Sequence, residues 1–300
     1  MAKGRVGIYL LMLLAPLFWG GAFGSTKHVL TELPPLTVAA FRFLCAGLLM
    51  SLWAVLRGEW DGKQIRDSWV GLLGLGAIGI FGYNALFNIG MQYTSAINGA
   101  LVIVVNPVTT SLVAVLFFGE RWSFRQGMGV LLSMAGVLIV ITRGDLSALQ
   151  SLSLNKGDLI LLGAVVTWTA YAILGKIIMQ RISPTMATAV AMVLGGVMLL
   201  AASLPEHGWE KLPGISFQVA MELVYLSICA SFAAFLIFNM GVSEIGASKA
   251  SAYINLMPVN AVLIAALFYG EVVTWVHGLG MICVMSGVLL TTRGTVQVKK

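Results

Sequence analysis

The chain has 300 residues, 59% of them hydrophobic and 10% charged, with a formal net charge of +6 at pH 7. Ordinary globular domains carry about 25% charged residues, so this composition excludes one and marks an integral membrane protein. The basic residues stand in ones and twos between apolar runs, a distribution that reports membrane orientation and speaks against a nucleic-acid partner.

Taken in order, Lys3 and Arg5 precede an apolar run of more than twenty residues with no small-residue cleavage pattern, so a retained span is expected and not a signal peptide. Crossing a bilayer core of about 30 Å takes about 20 apolar residues in a helix. Ten windows meet that length: 7–30, 35–56, 69–91, 96–118, 125–142, 158–180, 184–203, 217–240, 247–269 and 274–292. The links at 31–34, 92–95 and 181–183 leave room only for tight turns, and no soluble domain is inserted. The predicted class is an all-α integral membrane protein with ten transmembrane helices. Cys45, Cys229 and Cys283 fall inside apolar windows without paired spacing, which reads as buried small hydrophobes and not as a disulfide or metal framework.

Orientation follows from Lys and Arg counted on alternate sides. With the N-terminus inside, 13 fall on the inner side and 4 on the outer, and Arg42 lies within a window. Both termini are therefore expected in the cytoplasm, with the lipid bilayer of the cell (inner) membrane as surroundings.

The chain also repeats. Residues 98–120, NGALVIVVNPVTTSLVAVLFFGE, return at 249–271 as KASAYINLMPVNAVLIAALFYGE, an offset of 151 that matches Ile103 to Ile254, Pro107 to Pro258 and Gly119-Glu120 to Gly270-Glu271. At the same offset Phe87-Asn88 echoes Phe238-Asn239, and Gly129 and Gly136 echo Gly280 and Gly287; at 149, Trp19, Lys27 and Pro35 echo Trp168, Lys176 and Pro184. Two five-helix copies result, 1–145 and 146–300. Because five is odd, the second is inverted relative to the first, a plan that recurs in secondary transporters. A proline near the middle of a span removes a backbone donor and orphans the carbonyl four residues earlier, here Ile103 and Ile254. Such broken backbone in hydrocarbon needs protein or a cavity beside it, so Pro107 and Pro258 are the candidate hinges.

Five features together resemble the drug/metabolite transporter superfamily, in its ten-helix EamA-type branch. They are an early tryptophan in the first span of each half (Trp19, Trp168), a proline opening the second (Pro35, Pro184), Arg42-Phe43, the mid-span proline followed by Gly-Glu in the fourth, and a Gly-rich fifth. The resemblance spans the whole chain and implies transport of a small organic solute, without fixing the cargo. The second half carries Ala191 where Arg42 would recur, so the arginine has no symmetric role.

Polar residues inside spans need a partner or water. Asn98 and Thr109 are 11 residues, about three turns, apart on one face of the fourth span, and Lys249, Tyr253 and Asn260 take the corresponding face of the ninth; a shared aqueous path or helix-to-helix hydrogen bonding both fit. The third span offers Tyr83, Asn84 and Asn88, of which the eighth repeats only Asn239, and its Gly71, Gly74 and Gly82 read as packing. Trp19 with Phe23, and Trp168 with Tyr171, can wall a cavity or fill the core. Arg42 and Glu222 each lie roughly 10 Å below the outer surface at 1.5 Å per residue. Either they pair with each other, or Arg42 receives a substrate carboxylate, or both snorkel outward.

No Cys/His cluster, phosphate loop or catalytic constellation stands out, so neither an enzyme nor a cofactor is expected. The reading is a secondary transporter of small organic solutes, an exporter of amino acids or related metabolites acting as a monomer, with an uptake carrier or drug exporter as the alternative and a non-transporting membrane protein behind them. Glu222, the one acid well inside a span, favours facilitated diffusion or exchange over a proton relay. In a Cys-free background, single cysteines at Thr94 and Glu206 are expected to react with an impermeant thiol reagent added outside intact cells, and one at Gly62 is not; labelling at 62 would reverse the orientation.

Overall fold

In the computed structural model the residues described are 2–94, 99, 102–103, 105–118, 123–142, 155–260, 263–264 and 274–292. Among them no strand occurs, and helix fills the spans. In chain order these are α1 (Gly7–Val29), α2 (Pro35–Leu56), α3 (Trp69–Tyr93), α4 (Asn106–Phe118), α5 (Phe124–Thr142), α6 (Lys156–Ile178), α7 (Pro184–Ser203), α8 (Phe217–Ile245), α9 (Ala247–Ala252) and α10 (Trp275–Thr292). Seven of them, all but α4, α5 and α9, are long and apolar enough to cross a membrane. All ten windows therefore hold helix, but the fourth and ninth are described only in part. The molecule is an all-α membrane protein of two inverted repeats.

Local chemistry sets the helix starts. Pro35 and Pro184 each occupy a first helical position, where the missing N–H costs nothing and the fixed φ suits a helix. Ser183 Oγ accepts from Met186 N at 3.2 Å to cap α7. The start of α2 borrows its cap from the other half: Glu206 accepts from the backbone N–H groups of Leu36 and Thr37 at 3.1 and 2.8 Å and from the Thr37 hydroxyl, satisfying orphan donors with negative charge at the positive end of the helix. A capping box of Asn155 and Asp158 opens α6, and Asp158 also accepts from Thr94 Oγ1 at 2.5 Å. Lys27 closes the same corner by donating to the carbonyls of Met91 and Thr94 at the end of α3. In the loop after α1, Glu32 accepts from Ser216 N at 2.8 Å, a bond that holds its carboxyl below the usual carboxylate range. One position needs glycine: Gly246, at φ 88° and ψ 158°, takes a conformation barred to other residues and lets α8 turn directly into α9.

Packing is reciprocal. A Cβ built on Gly129 of α5 would lie 2.6 Å from Gly287 O of α10, and one on Gly136 would lie 2.7 Å from Gly280 O. Since 129 and 136 are the repeat mates of 280 and 287, the two contacts are one contact seen twice, as a two-fold axis requires. The α2–α7 pair does the same through Gly47 against Val193 N at 3.1 Å and Gly196 against Leu44 N at 3.2 Å. Small residues allow this approach where lipid supplies no hydrophobic drive between helices. Gly71 and Gly74 of α3 likewise admit Ile178 and Leu174 of α6, the packing role expected of them. The halves also interleave. Helix α1 packs on α8, and its mate α6 packs on α3, so each half's first helix is held by the other half's third.

Two stretches of the long helices are widened to π geometry, Leu75–Gly82 in α3 and Leu226–Ala233 in α8. They too are separated by 151 residues at both ends. In α9 the helix gives way to a tighter 3-10 turn over Tyr253–Leu256 before Pro258. At α4 the backbone bonds Val105 N to Val102 O and Val108 N to Val105 O are of the same tight kind, and Pro107 is the second residue of the helix that follows. The expected kinks are thus interruptions, with one short segment ending and another beginning.

Thr94 is only 4% exposed and tied to Asp158, so a cysteine there is a weak reporter of the outer face; His207, whose side chain is 77% exposed, is a better one. The glycine seam predicts that Gly129→Ala lowers stability by about 1 to 3 kcal/mol, the usual range for overpacking. Gly24→Ala, which would meet nothing within 4 Å, is expected to leave it unchanged. Thermal unfolding of the purified protein in one detergent compares the two.

Candidate functional site

Trp19 and Trp168 are repeat mates, and their rings meet edge to face at 5.4 Å and 86°. Around this pair Phe235 and Phe238 of α8 stand 5.0 to 5.8 Å from the indoles, and Tyr83 of α3 stands 4.8 Å from Trp168. Tyr83 stacks on Phe87 at 5.8 Å, and Phe87 meets Phe23 at 5.5 Å. Edge-to-face and offset contacts of this kind add about 0.5 to 1.5 kcal/mol per pair beyond buried area, so the rings form a stiff wall.

That wall borders a cleft with an open mouth. Of the residues singled out from sequence, Trp19, Phe23, Arg42, Tyr83, Asn84 and Trp168 line it. Ala22, Thr26, Phe87, Ile103, Asn106, Phe235, Ile254 and Met257 complete the lining. Ile103 and Ile254, marked in the sequence by their carbonyls, are mates that reach the cleft from the interrupted fourth and ninth spans. The helices α1, α2, α3, α4, α6, α8 and the α9 region all contribute, so the cleft lies between the halves.

The interruptions and the polar side chains serve each other. Widening α8 releases backbone acceptors, and Trp19 Nε1 donates to Ala230 O within the widened stretch at 2.8 Å. Tyr225 OH donates in the opposite direction, to Phe18 O at 2.6 Å. Arg42 reaches Ser231 Oγ in the same stretch at 3.3 Å and lies over the Phe43 ring at 5.6 Å, while its Nε–H has no partner among the described residues. Asn84 donates to Ile80 O one turn back, inside the widened part of α3.

The remaining predicted positions lie off the cleft wall. Asn88 bonds Asn84 O. Thr109 bonds Thr169 Oγ1 at 2.8 Å, joining α4 to α6. Tyr171 and Asn239 bond each other at 2.6 Å, with Thr188 as the second partner of Asn239. Tyr253 OH donates to Tyr9 O, and Asn260 is half-buried away from the lining. Asn98 lies outside the described residues. One expectation is corrected. Among the described residues Glu222 hydrogen-bonds His28 at 2.7 Å and does not pair with Arg42, because Ser231, the group Arg42 reaches, is nine residues and more than two turns further along α8.

With this geometry in view, the comparison with known proteins is decisive. The EamA-like transporter family matches residues 6–142 and again 155–293. The chain belongs to that family. A protein of Bacillus subtilis (strain 168) named uncharacterized transporter YyaM is 33% identical over 296 residues, 99% of this chain and 96% of that one. A chloroplastic WAT1-related protein of Arabidopsis thaliana is 29% identical over 276 residues, 90% of this chain and 66% of that one. A solved crystal structure shares the fold at a TM-score of 0.77 and 18% identity, covering 95% of this chain and 97% of the other. The protein is thus a multi-pass membrane transporter.

Sequence reasoning missed the widened stretches and the lining residues Thr26, Asn106, Phe235 and Met257. A usable signal was present: Tyr83, Asn84 and Asn106 face Ala234, Phe235 and Met257 at the repeat offset, so the two halves differ where they meet the cleft. Unpaired, Arg42 and Glu222 should behave independently. The destabilisation caused by Arg42→Met and that caused by Glu222→Gln are expected to add within about 0.5 kcal/mol, whereas Glu222→Gln and His28→Gln should each leave the other nearly silent. Thermal unfolding of the singles and both doubles measures this.

Proposed function

We propose that this EamA-like protein is a secondary transporter that exports amino acids or related metabolites across the cell (inner) membrane, with both termini cytoplasmic, by alternating access between its two inverted halves. The observation that carries the reading is the aromatic-walled cleft at the place where interrupted helices of both halves converge. Solute is held between α1, α3 and α4 on one side and α6, α8 and the α9 region on the other, so rocking one set against the other exposes the cleft to each face in turn. Pro107 and Pro258 act as hinges, since the breaks beside them concentrate the change in backbone angle at a few residues. Glu222 sits with His28 outside the cleft wall, which supports exchange or facilitated diffusion over a proton relay through the site.

Vesicles containing the purified chain and loaded with a labelled amino-acid mixture are expected to release label faster than empty ones; release no faster than the lipid leak overturns the proposal, and release of drugs but not metabolites redirects it to the alternative. Pro107→Ala and Pro258→Ala supply a donor that can mend the helix. Each is expected to lower the maximum rate several-fold with little change in half-saturating concentration and no loss of thermal stability, and the double variant should be slower than either. Singles that transport at the wild-type rate would remove the hinge role.

A further inference from the structure

Residues lining the cleft carry four buried side-chain atoms without a partner among the described residues: Arg42 Nε, Trp168 Nε1, Thr26 Oγ1 and Asn106 Oδ1. Trp168 is the informative one. Its mate Trp19 has the indole N–H satisfied by Ala230 O. The position symmetric to Ala230 is Gly79, in the widened part of α3, where a Cβ would fall on the ring of Tyr171. Among the described residues the Trp168 N–H lacks the acceptor its mate has, on a ring that lines the cleft.

Arg42 has the same character. It is 4% exposed and has Ala191 as its mate. The groups that meet it are a neutral hydroxyl and the face of a ring. A guanidinium stays protonated, and burying a charge without an opposite one is strongly unfavourable. Among the described lining residues there is no Asp or Glu. Two residues of the cleft wall, one of them charged, therefore each hold a buried N–H without an acceptor among the described residues, and the anion that would satisfy them does not come from the described wall.

We infer that the cleft recognises its cargo by a carboxylate, received by Arg42 and Trp168, with the apolar or aromatic body of the solute against the ring wall. This rests on the cleft being the transport site. An amino group meets no acid there, only ring faces and Asn106 Oδ1, so it adds little to recognition. A solute with the carboxylate but no ammonium binds about as well as the amino acid, and one with the carboxylate converted to an amide does not. Charge-assisted pairs contribute enough for the difference to reach about 10- to 100-fold in Kd.

The test uses the full chain in lipid nanodiscs, titrated calorimetrically with phenylalanine, 3-phenylpropionate and phenylalaninamide, together with Trp168→Phe, Arg42→Lys and Arg42→Met, while flux is measured separately in vesicles with the same three compounds as competitors. The expected result is that the two acids bind within a few-fold of each other and the amide at least tenfold more weakly. Trp168→Phe, which keeps a ring but loses the N–H, should weaken the acids about tenfold and leave the amide unchanged. Arg42→Lys should weaken them, since an ammonium lacks the planar fork, and Arg42→Met should abolish binding. If Arg42→Met fails to fold, Trp168→Phe decides. Acid binding without flux keeps this inference and overturns the transport reading. Flux to which acids and amide are equal competitors keeps transport and overturns this inference. Absence of both binding and flux overturns the two together.

Discussion

Everything in this molecule depends on the rule that a backbone group in hydrocarbon must find a partner inside the protein. A regular helix satisfies it automatically, which is why the bulk of the chain is helix. The cleft exists where that regularity is given up, in the widened turns of α3 and α8 and beside the prolines of the fourth and ninth spans. In each widened stretch a backbone oxygen takes a side-chain donor: Ala230 O the Trp19 indole from a neighbouring helix, and Ile80 O the Asn84 amide of α3 itself. Loosened helices and the aromatic cluster are therefore one construction, and neither could be kept without the other.

Symmetry supplies the frame and its loss supplies the chemistry. Where the halves agree, as at Trp19 and Trp168, Gly47 and Gly196, or Gly129 and Gly280, the residues fix rings and backbones about the two-fold axis. Where they disagree, at Arg42 and Ala191, Tyr83 and Ala234, or Asn106 and Met257, the polar member of the pair lines the cleft and its repeat mate is apolar. A two-fold site would present matched halves, whereas a solute with a head and a body needs unlike ends. The duplicated fold thus carries an asymmetric interior without altering its packing.

Much of this was legible in the chain itself. Apolar length located the seven helices long enough to cross the membrane because the bilayer sets one length for all of them, and the offset of 151 exposed the repeat because inverted halves need the same breaks at the same depth. What could not be read was partner choice. Arg42 and Glu222 sit at similar depth, and depth alone suggested a pair, but azimuth around α8 and the proximity of His28 decide which side chains meet. Hydrogen bonds such as Thr109 to Thr169, between the halves, or Tyr171 to Asn239, within the second, depend on how separate helices are juxtaposed, and single-helix periodicity holds no information on that. The π turns escaped for a related reason: Leu75–Gly82 and Leu226–Ala233 are rich in small residues that also suit tight helix packing, so composition could not tell widening from close approach.

The interleaving of the halves has a consequence for how the chain comes to be. When the ribosome has finished the first repeat, α1 and α3 are in the bilayer, but the surfaces that will cover them, on α8 and α6, have not all been made. The Trp19 N–H waits more than two hundred residues for the Ala230 carbonyl. Contacts so far apart in sequence form late and slowly, and until then the early helices depend on lipid, on one another or on the insertion machinery to shield their polar groups. Neither half is therefore a self-sufficient folding unit, although each carries the full pattern of the family; the protein becomes complete only when its second copy is threaded upside down through its first.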